Sequence, residues 1–460
     1  IEPMPAFDLE ETAPAAVFHL LGGEMRKATA ETPLSPLWQD IYGFFDENSQ
    51  WQKRLSLLKQ GIGKTAKPER LSPKTAKALY GKNIFSSVSR LERFAGCPFS
   101  FFAEYGLKAE ERRLYQLNTP DLGSLFHEVL ELFSNKLEQD NLPWTSLTKE
   151  ETTARIHAAV EDAAPRLGNR ILLDSAANQY LIRRLKRIST RAAWTLVQHL
   201  QQGDFVPAGY EVGFGAHEAL PPIVIRLQDG GSLILNGKID RVDLLDANGT
   251  RYVKIIDYKS GNKTFHFQDI YYGLQLQLLV YLDAYLKYYK KTGASFKPGG
   301  VFYFRITDPT LALDEELSAE AIEKILYEKM RMSGLLLQED VLIHGLDHSL
   351  AESRSSAIVP VGYTKKGDPT AASNLATEEQ YAAILDFVAT RTQELGDAMK
   401  AGIITPAPYR DGQRTPCSYC SYRSLCRHSY GEAPRWRKLK KIDKADFWES
   451  ITPKQPPETE

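Results

Sequence analysis

The chain has 460 residues, of which 43% are hydrophobic, 10% aromatic and 25% charged, and this composition is typical of a folded protein of roughly two to four domains. Its 57 lysine and arginine residues nearly balance its 58 aspartate and glutamate residues, so a formal net charge of −1 excludes a protein that coats nucleic acid with a uniformly cationic surface. Its four cysteines are too few for a secreted, disulfide-based scaffold of this length.

The two ends of the chain carry no targeting pattern. No stretch approaches the roughly 20 apolar residues that a membrane-spanning helix needs, and the acidic residues 1–11 lack the basic and apolar regions of a signal peptide. We therefore predict a cytoplasmic protein without membrane association. Because the chain begins with isoleucine, we expect a fragment of a longer protein. The basic stretch 435–444 is either a solvated tail or a phosphate contact.

Helical patterns come first along the chain. Ser89 and Glu92 have the spacing of a capping box, which predicts that a helix begins there and that Glu92 closes its N-terminus. Apolar residues at helical spacing predict a second helix after Pro120 and a third over 178–201.

Further along, the pattern changes to an alternation of apolar and polar residues, which is typical of strands. We predict strands over 206–214, 222–227, 232–237, 238–245, 252–258 and 300–306. Further helices are predicted over 271–289, 319–332 and 378–401, the last with a capping box of Thr377 and Gln380. Helices, an antiparallel meander, a crossover helix, a strand and more helices predict an α/β fold with a mixed central sheet flanked by helices.

Two aspartates and a lysine fall on a predicted hairpin that turns at Asn248-Gly249. Asp257 and Lys259 are two residues apart on one strand and project to the same face, and Asp240 lies on the preceding strand. Two carboxylates suit Mg²⁺ or Mn²⁺, which neutralises a phosphodiester and activates water. A lysine beside them can orient the water or stabilise the charge of the transition state. The alternative is a solvated hairpin with surface charges.

Polar residues on two predicted helices favour a site at this hairpin. Gln277 and Tyr281 are four residues apart and share one face of the helix that follows the hairpin. His127 lies on the helix after Pro120, with Glu131 one turn further along. His127 is either a metal ligand or an ordinary residue of an amphipathic helix.

A one-sided basic stripe marks the predicted helix over 178–201. Arg183, Arg187 and Arg191 fall on its polar face. We expect this face to contact phosphates of DNA, and the binding to weaken as salt rises.

Three of the four cysteines are close together near the C-terminal end. Cys417, Cys420 and Cys426 can surround one metal centre, and Cys97 is the remaining candidate for a fourth ligand. Zinc and a [4Fe–4S] cluster both accept four thiolates, and the spacing leaves both open. The predicted cytoplasmic location argues against disulfides.

Several of these motifs together carry a family likeness. GSLFH (123–127), GKIDRVD (237–243), IDYKSG (256–261) and the Gln277/Tyr281 pair resemble the nuclease motifs of the RecB-type branch of the PD-(D/E)XK superfamily. SVSRLERFAGCPFSFFAEYGL (87–107), with the cysteine spacing, resembles the AddB subunits of bacterial AddAB helicase–nucleases. The likeness covers about three quarters of the chain, over residues 85–430.

The resemblance implies roles for individual residues. It implies Mg²⁺ or Mn²⁺ ligands at His127, Asp240, Asp257 and the main-chain carbonyl of Tyr258, with Asp240, Asp257 and Lys259 as the catalytic residues. It also implies that Gln277 and Tyr281 position the DNA strand. It favours a [4Fe–4S] cluster on Cys97, Cys417, Cys420 and Cys426, which would join the two ends of the nuclease domain.

The same resemblance implies a domain organisation and a function. Residues 1–85 would be the trailing part of a helicase-like region, 86–430 the nuclease domain and 431–460 a basic and polar tail. The implied activity is Mg²⁺-dependent cleavage of single-stranded DNA, of the strand of 5′→3′ polarity, at duplex ends that an AddA-like helicase–nuclease partner unwinds. This activity would serve double-strand-break processing and homologous recombination. The alternatives are a free-standing repair or CRISPR-associated nuclease of the same branch, and a DNA-binding scaffold with weak catalysis.

Overall fold

A computed structural model describes residues 13–28, 33–62, 70–110, 119–166, 176–311, 317–426, 428 and 436–452. The chain divides into two compact units that alternate along the sequence: unit 1 (Ile1–Leu79, Gly96–Glu111, Ala398–Lys440) and unit 2 (Tyr80–Ala95, Arg112–Asp397, Lys441–Glu460). The predicted division into residues 1–85, 86–430 and 431–460 stays a prediction. The acidic start and positions 431–435 and 453–460 of the predicted tail lie outside the described residues.

The helices are, in chain order, α1 (Pro14–Lys27), α2 (Pro36–Glu47), α3 (Ser49–Ile62), α4 (Pro73–Tyr80), α5 (Val88–Gly96), α6 (Pro98–Phe101), α7 (Thr119–Gln139), α8 (Lys149–Ala163), α9 (Ala176–Gln201), α10 (Phe267–Tyr271), α11 (Gln277–Lys291), α12 (Ala319–Lys329), α13 (Asp340–Leu346), α14 (Glu378–Lys400), α15 (Arg423–Cys426) and α16 (Lys444–Ile451). The strands are β1 (Asn83–Ser86), β2 (Val206–Phe214), β3 (Ile223–Arg226), β4 (Ser232–Leu235), β5 (Gly237–Ala247), β6 (Thr250–Lys259), β7 (Lys297–Arg305), β8 (Ser333–Leu337), β9 (Leu375–Ala376), β10 (Tyr409–Arg410) and β11 (Arg437–Lys438).

A six-stranded sheet forms the centre of unit 2, in the order β2-β5-β6-β7-β8-β9. Its pairs are antiparallel except β6 with β7 and β8 with β9, which run parallel. The parallel pairing of β6 and β7 requires a crossover, and α10 and α11 supply it. Because helices cover this sheet, its middle strands are buried along nearly their whole length. The predicted α/β fold with a mixed central sheet is therefore confirmed.

The hairpin of β5 and β6 has the turn that its sequence predicts. Asn248 and Gly249 both have positive φ, +50° and +76°, as the two central residues of a tight hairpin turn require. The seven register pairs from Ala247↔Thr250 to Arg241↔Ile256 run without a shift. This register fixes which side chains of the hairpin share a face.

Four of the predicted elements differ in the structure. β3 and β4 do not belong to the central sheet but pair with β1 in a separate three-stranded sheet, because the short strand β1, which the sequence did not reveal, takes the edge of β4. The helix predicted over 271–289 begins only at Gln277, as α11, because Gly273, whose φ of +73° is left-handed, separates it from α10, which ends at Tyr271. The helix predicted over 319–332 ends at Lys329, and the following residues form β8.

The two predicted capping boxes have different outcomes. Thr377 and Gln380 do cap α14 reciprocally: the Gln380 amide donates to Thr377 Oγ1 at 3.3 Å and the Thr377 amide donates to Gln380 Oε1 at 3.0 Å. The box at Ser89 was wrong, because α5 begins one residue earlier and Ser87 Oγ accepts the hydrogen bond from the Arg90 amide. The Glu92 side chain is therefore free to bond elsewhere.

In unit 1, α1, α2 and α3 pack around a small apolar core of Val17, Leu21, Phe45 and Leu55. The Phe45 ring contacts Phe18 and Trp51 edge to face, at centroid distances of 5.1 and 5.0 Å. Within the described residues of both units, no helix combines the length and the apolar character that crossing a membrane requires.

Candidate metal centre and charged grooves

The two predicted aspartates lie side by side on the hairpin of β5 and β6. Asp240 and Asp257 follow directly on the last register pair, Arg241↔Ile256, so they are opposite each other on adjacent strands. Both are buried, with 8% and 3% of their surface exposed. The amide of Tyr258 donates a hydrogen bond to Asp240 Oδ2 at 2.6 Å, which holds that carboxylate against β6.

Asp257 is contacted by two of the other predicted residues. Its Oδ2 forms an ion pair with Lys259, and its Oδ1 accepts a hydrogen bond from Gln277 Nε2 at 2.8 Å. Burial and then the charge of Asp240 raise the pKa of Asp257 to about 6, although Lys259 opposes the shift. Burial and the second carboxylate together therefore outweigh the effect of the Lys259 ammonium on the pKa of Asp257.

His127 stands beside the same pair. The buried apolar face of α7 (Leu125, Phe126, Val129, Leu130 and Phe133) fixes the helix, and the imidazole projects from its edge, with Nδ1 3.4 Å from Asp240 Oδ2. Burial lowers the pKa of His127, but the hydrogen bond to Asp240 and the carboxylate charges outweigh burial and raise it.

A third acidic residue belongs to this cluster, and nothing in the sequence motifs predicted it. Glu211 lies on β2, which pairs with β5. The residues on either side of Glu211 pair with the residues on either side of Asp240, so Glu211 is opposite Asp240. One ligand atom each of His127, Glu211 and Asp240 lie within 4.8 Å of one another.

The environment of Glu211 shows why it belongs to the cluster. Burial and the charges of Asp240 and Glu131 raise the pKa of Glu211 to about 7. Its φ of +47° is left-handed, a strained conformation for a glutamate, and strained residues of this kind cluster at functional sites. Nothing local in the sequence signals it; only the register of β2 against β5, which a bulge after Pro207 displaces, would have pointed to it.

The donor set fits a divalent cation. Carboxylate oxygens with one imidazole suit Mn²⁺ and Mg²⁺. Burial and neighbouring carboxylates raise the pKa values of Asp257 and Glu211, and a bound cation would lower them again. Whether the Tyr258 carbonyl joins this set stays a prediction.

A cleft of about 650 Å³ opens onto His127 and Glu211, and Glu131, Arg166 and Ser260 also line it. Gly123 closes one side of this cleft. A Cβ at that position would approach Ser260 Oγ to 3.0 Å, tighter than almost all real Cβ contacts, which gives the glycine of the GSLFH motif a steric reason.

Gln277 and Tyr281 occupy different environments, although both were expected to contact DNA. Gln277 is the first residue of α11, and its amide is bonded to Asp257. Tyr281 is buried, and its hydroxyl lies where a Cβ at residue 237 would be, so the position must be glycine. The role of both residues in positioning a DNA strand stays a prediction.

The opposite face of the same hairpin carries a second buried charge cluster. Asp243 accepts hydrogen bonds from Arg241 at 2.6 and 3.0 Å and forms an ion pair with Lys254 at 2.9 Å. The Arg241 guanidinium also lies 4.7 Å from the centroid of the Trp144 ring. Burial opposes the charged form of Asp243, but the two cations outweigh burial and lower its pKa.

The three arginines of the predicted basic stripe line a groove of about 580 Å³ on α9, together with Trp194 and Tyr327. Asp308 pairs with Arg187 at 2.7 Å and with Arg191 at 3.3 Å, and Glu323 lies 3.9 Å from Arg191. Arg183 is exposed at the same groove. The stripe is therefore cationic but partly neutralised by acidic neighbours.

All four cysteines fall in unit 1 and are unbonded to one another. Burial raises the pKa of Cys97, and the charge of Cys417 raises it further; burial and the charges of Cys420 and Cys426 do the same for Cys417. Cys97 and Cys417 therefore interact electrostatically, as do Cys417, Cys420 and Cys426, and sulfur ligands suit zinc or an iron–sulfur cluster equally.

Comparison with known proteins gives two matches to family models. Residues 86–427 match the model of the PD-(D/E)XK nuclease superfamily, and residues 12–61 match the fifth domain of the ATP-dependent helicase/deoxyribonuclease AddB.

Curated relatives match along almost the whole chain. Proteins named as the B-type subunit of an ATP-dependent helicase/deoxyribonuclease are 40% identical over 443 residues in Alkaliphilus oremlandii and 41% identical over 417 residues in Alkaliphilus metalliredigens. A protein of the same name in a Thermoanaerobacter species is 34% identical over 441 residues. These matches cover 96%, 90% and 96% of this chain but 38%, 36% and 38% of the relatives, so the chain spans little more than a third of their length.

Proposed function

The chain belongs to the PD-(D/E)XK nuclease superfamily, and on that premise we propose that its acidic site hydrolyses phosphodiester bonds of DNA with a divalent metal ion. The observation that carries this proposal is the meeting of His127, Glu211 and Asp240, with Asp257 and its partner Lys259 on the adjacent strand. Three strands and a helix supply these groups, and a cleft of about 650 Å³ opens onto two of them, His127 and Glu211.

We infer a division of labour among these residues. His127, Asp240 and Asp257 would hold Mg²⁺ or Mn²⁺, with Glu211 and the Tyr258 carbonyl completing the ligands. The bound ion would neutralise a non-bridging phosphate oxygen and lower the pKa of a coordinated water. The paired carboxylates raise the pKa of Lys259, so its ammonium is charged at neutral pH and can stabilise the charge that develops on the phosphate.

The proposed substrate is single-stranded DNA at a processed duplex end. The groove on α9 supports this proposal, because arginines beside Trp194 offer both phosphate contacts and a surface on which a base can stack. We further propose that the chain acts as part of a helicase–nuclease in break repair by homologous recombination, with an AddA-like partner, and cuts the strand of 5′→3′ polarity. The relatives are named as subunits of a helicase/deoxyribonuclease, and residues 12–61 match a domain of such a subunit. Both findings favour membership of such a complex over a free-standing nuclease.

Cleavage of a labelled single-stranded oligonucleotide tests the nuclease proposal. With Mg²⁺ present, Asp240→Asn should be slowed at least about a hundredfold, because a metal ligand supports several kcal/mol of transition-state stabilisation and 1.36 kcal/mol is a factor of ten. Asp246→Asn on the same strand, where the side chain is exposed, is the matched control and should cleave like the wild type. Equal rates for Asp240→Asn and the wild type would refute the proposal.

We also propose that the four cysteines hold a [4Fe–4S] cluster. The support is the proximity of the thiols within unit 1, together with the resemblance of the segment around Cys97 to AddB subunits. Protein purified without oxygen should be brown, with broad visible absorbance that Cys420→Ala removes. Colourless protein with one bound zinc would contradict this assignment.

A further inference from the structure

Glu92 lies at the edge of the candidate metal centre, although its own helix, α5, contributes none of the proposed ligands. Its Oε1 accepts hydrogen bonds from the amides of Leu276 and Gln277 at 2.8 and 3.0 Å. Its Oε2 accepts a hydrogen bond from Lys263 Nζ at 3.2 Å. Only 12% of the Glu92 side chain is exposed, so this carboxylate is fixed by its partners rather than solvated.

The two amides that Glu92 binds are those at the start of α11. The first amides of a helix have no partner within the helix, and a negative charge there is favourable. The residue in the capping position is Leu276, whose side chain accepts no hydrogen bond, and no side chain of its own segment caps α11. Glu92 therefore caps this helix from 184 residues away in sequence.

The first residue of α11 is also the one that contacts the candidate metal centre. The backbone of Gln277 is held by Glu92, and its side chain donates to Asp257 Oδ1 at 2.8 Å. The segment before the helix is fixed as well, since the buried Gln275 side chain accepts from the His266 amide at 2.8 Å and donates to the Thr264 carbonyl at 2.7 Å. The start of α11 is thus fixed on both sides.

We propose that Glu92 is a positioning residue for hydrolysis that acts through Gln277. By fixing the first turn of α11, Glu92 holds the Gln277 amide on one oxygen of Asp257, and this leaves the other oxygen directed at Lys259 and the proposed metal ion. The inference rests on the proposed nuclease function, and it assigns a task to the glutamate of the SRLERF motif other than capping its own helix.

The experiment separates this task from the stabilisation that any helix cap gives. Glu92→Ala is compared with Asp443→Ala, which removes a carboxylate cap from α16, where Asp443 Oδ1 accepts from the Asp446 amide at 2.9 Å. Steady-state cleavage of a single-stranded oligonucleotide with Mg²⁺ is measured for both variants. It is also measured for Glu92→Ala in a Gln277→Leu background.

We expect Glu92→Ala to lower kcat/KM about 10- to 100-fold, the usual effect of losing a residue that orients a metal ligand. In the Gln277→Leu background the same substitution should change kcat/KM within about twofold, because the residue through which it acts is already gone. Glu92→Gln should recover part of the loss, since its amide oxygen can accept the same two backbone hydrogen bonds, whereas its NH2 group cannot accept from Lys263 Nζ. Asp443→Ala should cleave like the wild type.

Equal losses for Glu92→Ala in both backgrounds, or wild-type cleavage by Glu92→Ala, would overturn the proposal. Hydrogen exchange provides a readout that needs no activity: in metal-free Glu92→Ala the amides of Leu276 and Gln277 should lose their protection while those later in α11 keep it. Unchanged protection of these two amides would also overturn it. A wild-type chain that cleaves no DNA would refute the proposed function, and hydrogen exchange would still decide the role of Glu92.

Discussion

The two faces of the hairpin of β5 and β6 carry buried charges of the same types in different balance. On one face, Asp243 lies between two cations, Arg241 and Lys254, and its carboxylate bonds to both. On the other face, Asp240 and Asp257 lie together. Among the described residues, Lys259 is the one lysine or arginine that forms an ion pair with either of them, and His127 lies beside Asp240. Glu211 adds a further acid to that second face.

The pKa of the aspartate is lowered on one face and raised on the other. We infer from this difference that the charges around Asp243 serve stability and that those around Asp257 form a binding site. The surrounding cations lower the pKa of Asp243, whereas burial and a neighbouring carboxylate raise that of Asp257. A buried charge that is paired with opposite charges requires no further ion to compensate it. A buried group of acids with too few cations needs one from outside, and a divalent metal ion is the simplest way to supply it.

The largest expected effect is on the face that carries Asp243, where two cations balance the carboxylate (the balanced face). Asp243→Asn should lower the free energy of unfolding by about 3–5 kcal/mol, because it leaves Arg241 and Lys254 buried without a carboxylate. Urea denaturation measures the change. Asp246→Asn is the matched control on the same strand: its pair with Arg251 is exposed, so the loss should stay below about 1 kcal/mol. Equal losses at the two positions would remove the distinction between the faces.

On the face that carries Asp240, Asp257 and Glu211, where acids outnumber cations (the unbalanced face), we expect a substitution to lower activity more than stability. Lys259→Met should lower kcat about 10²–10³-fold, since it removes a preorganised charge at the reacting phosphate. The loss of stability should be smaller than that of Asp243→Asn, because the pKa of Asp257 is already raised to about 6 and its buried carboxyl can take up a proton when the cation is removed. Lys287→Met, which breaks an exposed helix pair with Asp283, is the control and should leave both quantities unchanged. A Lys259→Met protein that unfolds easily but retains its kcat would reverse our assignment.

The pH dependence of stability should follow the raised pKa values. Glu211 has its pKa raised from 4.5 to about 7, so the metal-free folded protein holds this proton more tightly than the unfolded chain does. The contribution of Glu211 to the free energy of unfolding therefore falls as the pH rises from 4.5 to about 7, by an amount on the order of 2 kcal/mol. Glu211→Gln should accordingly be more stable, relative to the wild type, at pH 7.5 than at pH 4.5 in urea denaturation with EDTA. The opposite trend would contradict the raised pKa.

The smallest expected effect concerns the groove on α9. Asp308→Asn should free Arg187 and Arg191 for phosphates and tighten binding of single-stranded DNA by up to about fivefold, the value of an exposed ion pair. Fluorescence anisotropy at several salt concentrations measures the affinity and its salt dependence. Asp283→Asn is the control, because it frees only Lys287 on α11. An affinity that is the same for both variants would exclude the groove as a DNA contact.

The hairpin and its predicted pair of aspartates could be read from the sequence because their determinants are local. A two-residue turn at Asn248-Gly249 and alternation along β6 place Asp257 and Lys259 on one face without any knowledge of the rest of the chain. The amphipathic pattern of α7 placed His127 at a helix edge for the same reason.

The parts that the sequence did not reveal depend on contacts between distant segments. Glu211 faces Asp240 through a register that a bulge displaces, and Glu92 caps a helix 184 residues away although its spacing to Ser89 imitates a local capping box. The break between α10 and α11 arises at Gly273, a residue that helical patterns tolerate. Likewise, the spacing of the cysteines predicts a set of ligands but does not distinguish zinc from an iron–sulfur cluster.

The most direct test of the unbalanced face is a calorimetric titration of Mn²⁺ into the metal-free chain, for the wild type and for Asp240→Asn. Mn²⁺ suits carboxylate and imidazole ligands, whereas the cysteine thiols prefer softer metals. We predict that the wild type binds Mn²⁺ and that Asp240→Asn binds it at least about tenfold more weakly, since the charge that attracts the ion is reduced. Equal Mn²⁺ affinity in the two proteins, or no binding by the wild type, would contradict a metal centre on this face.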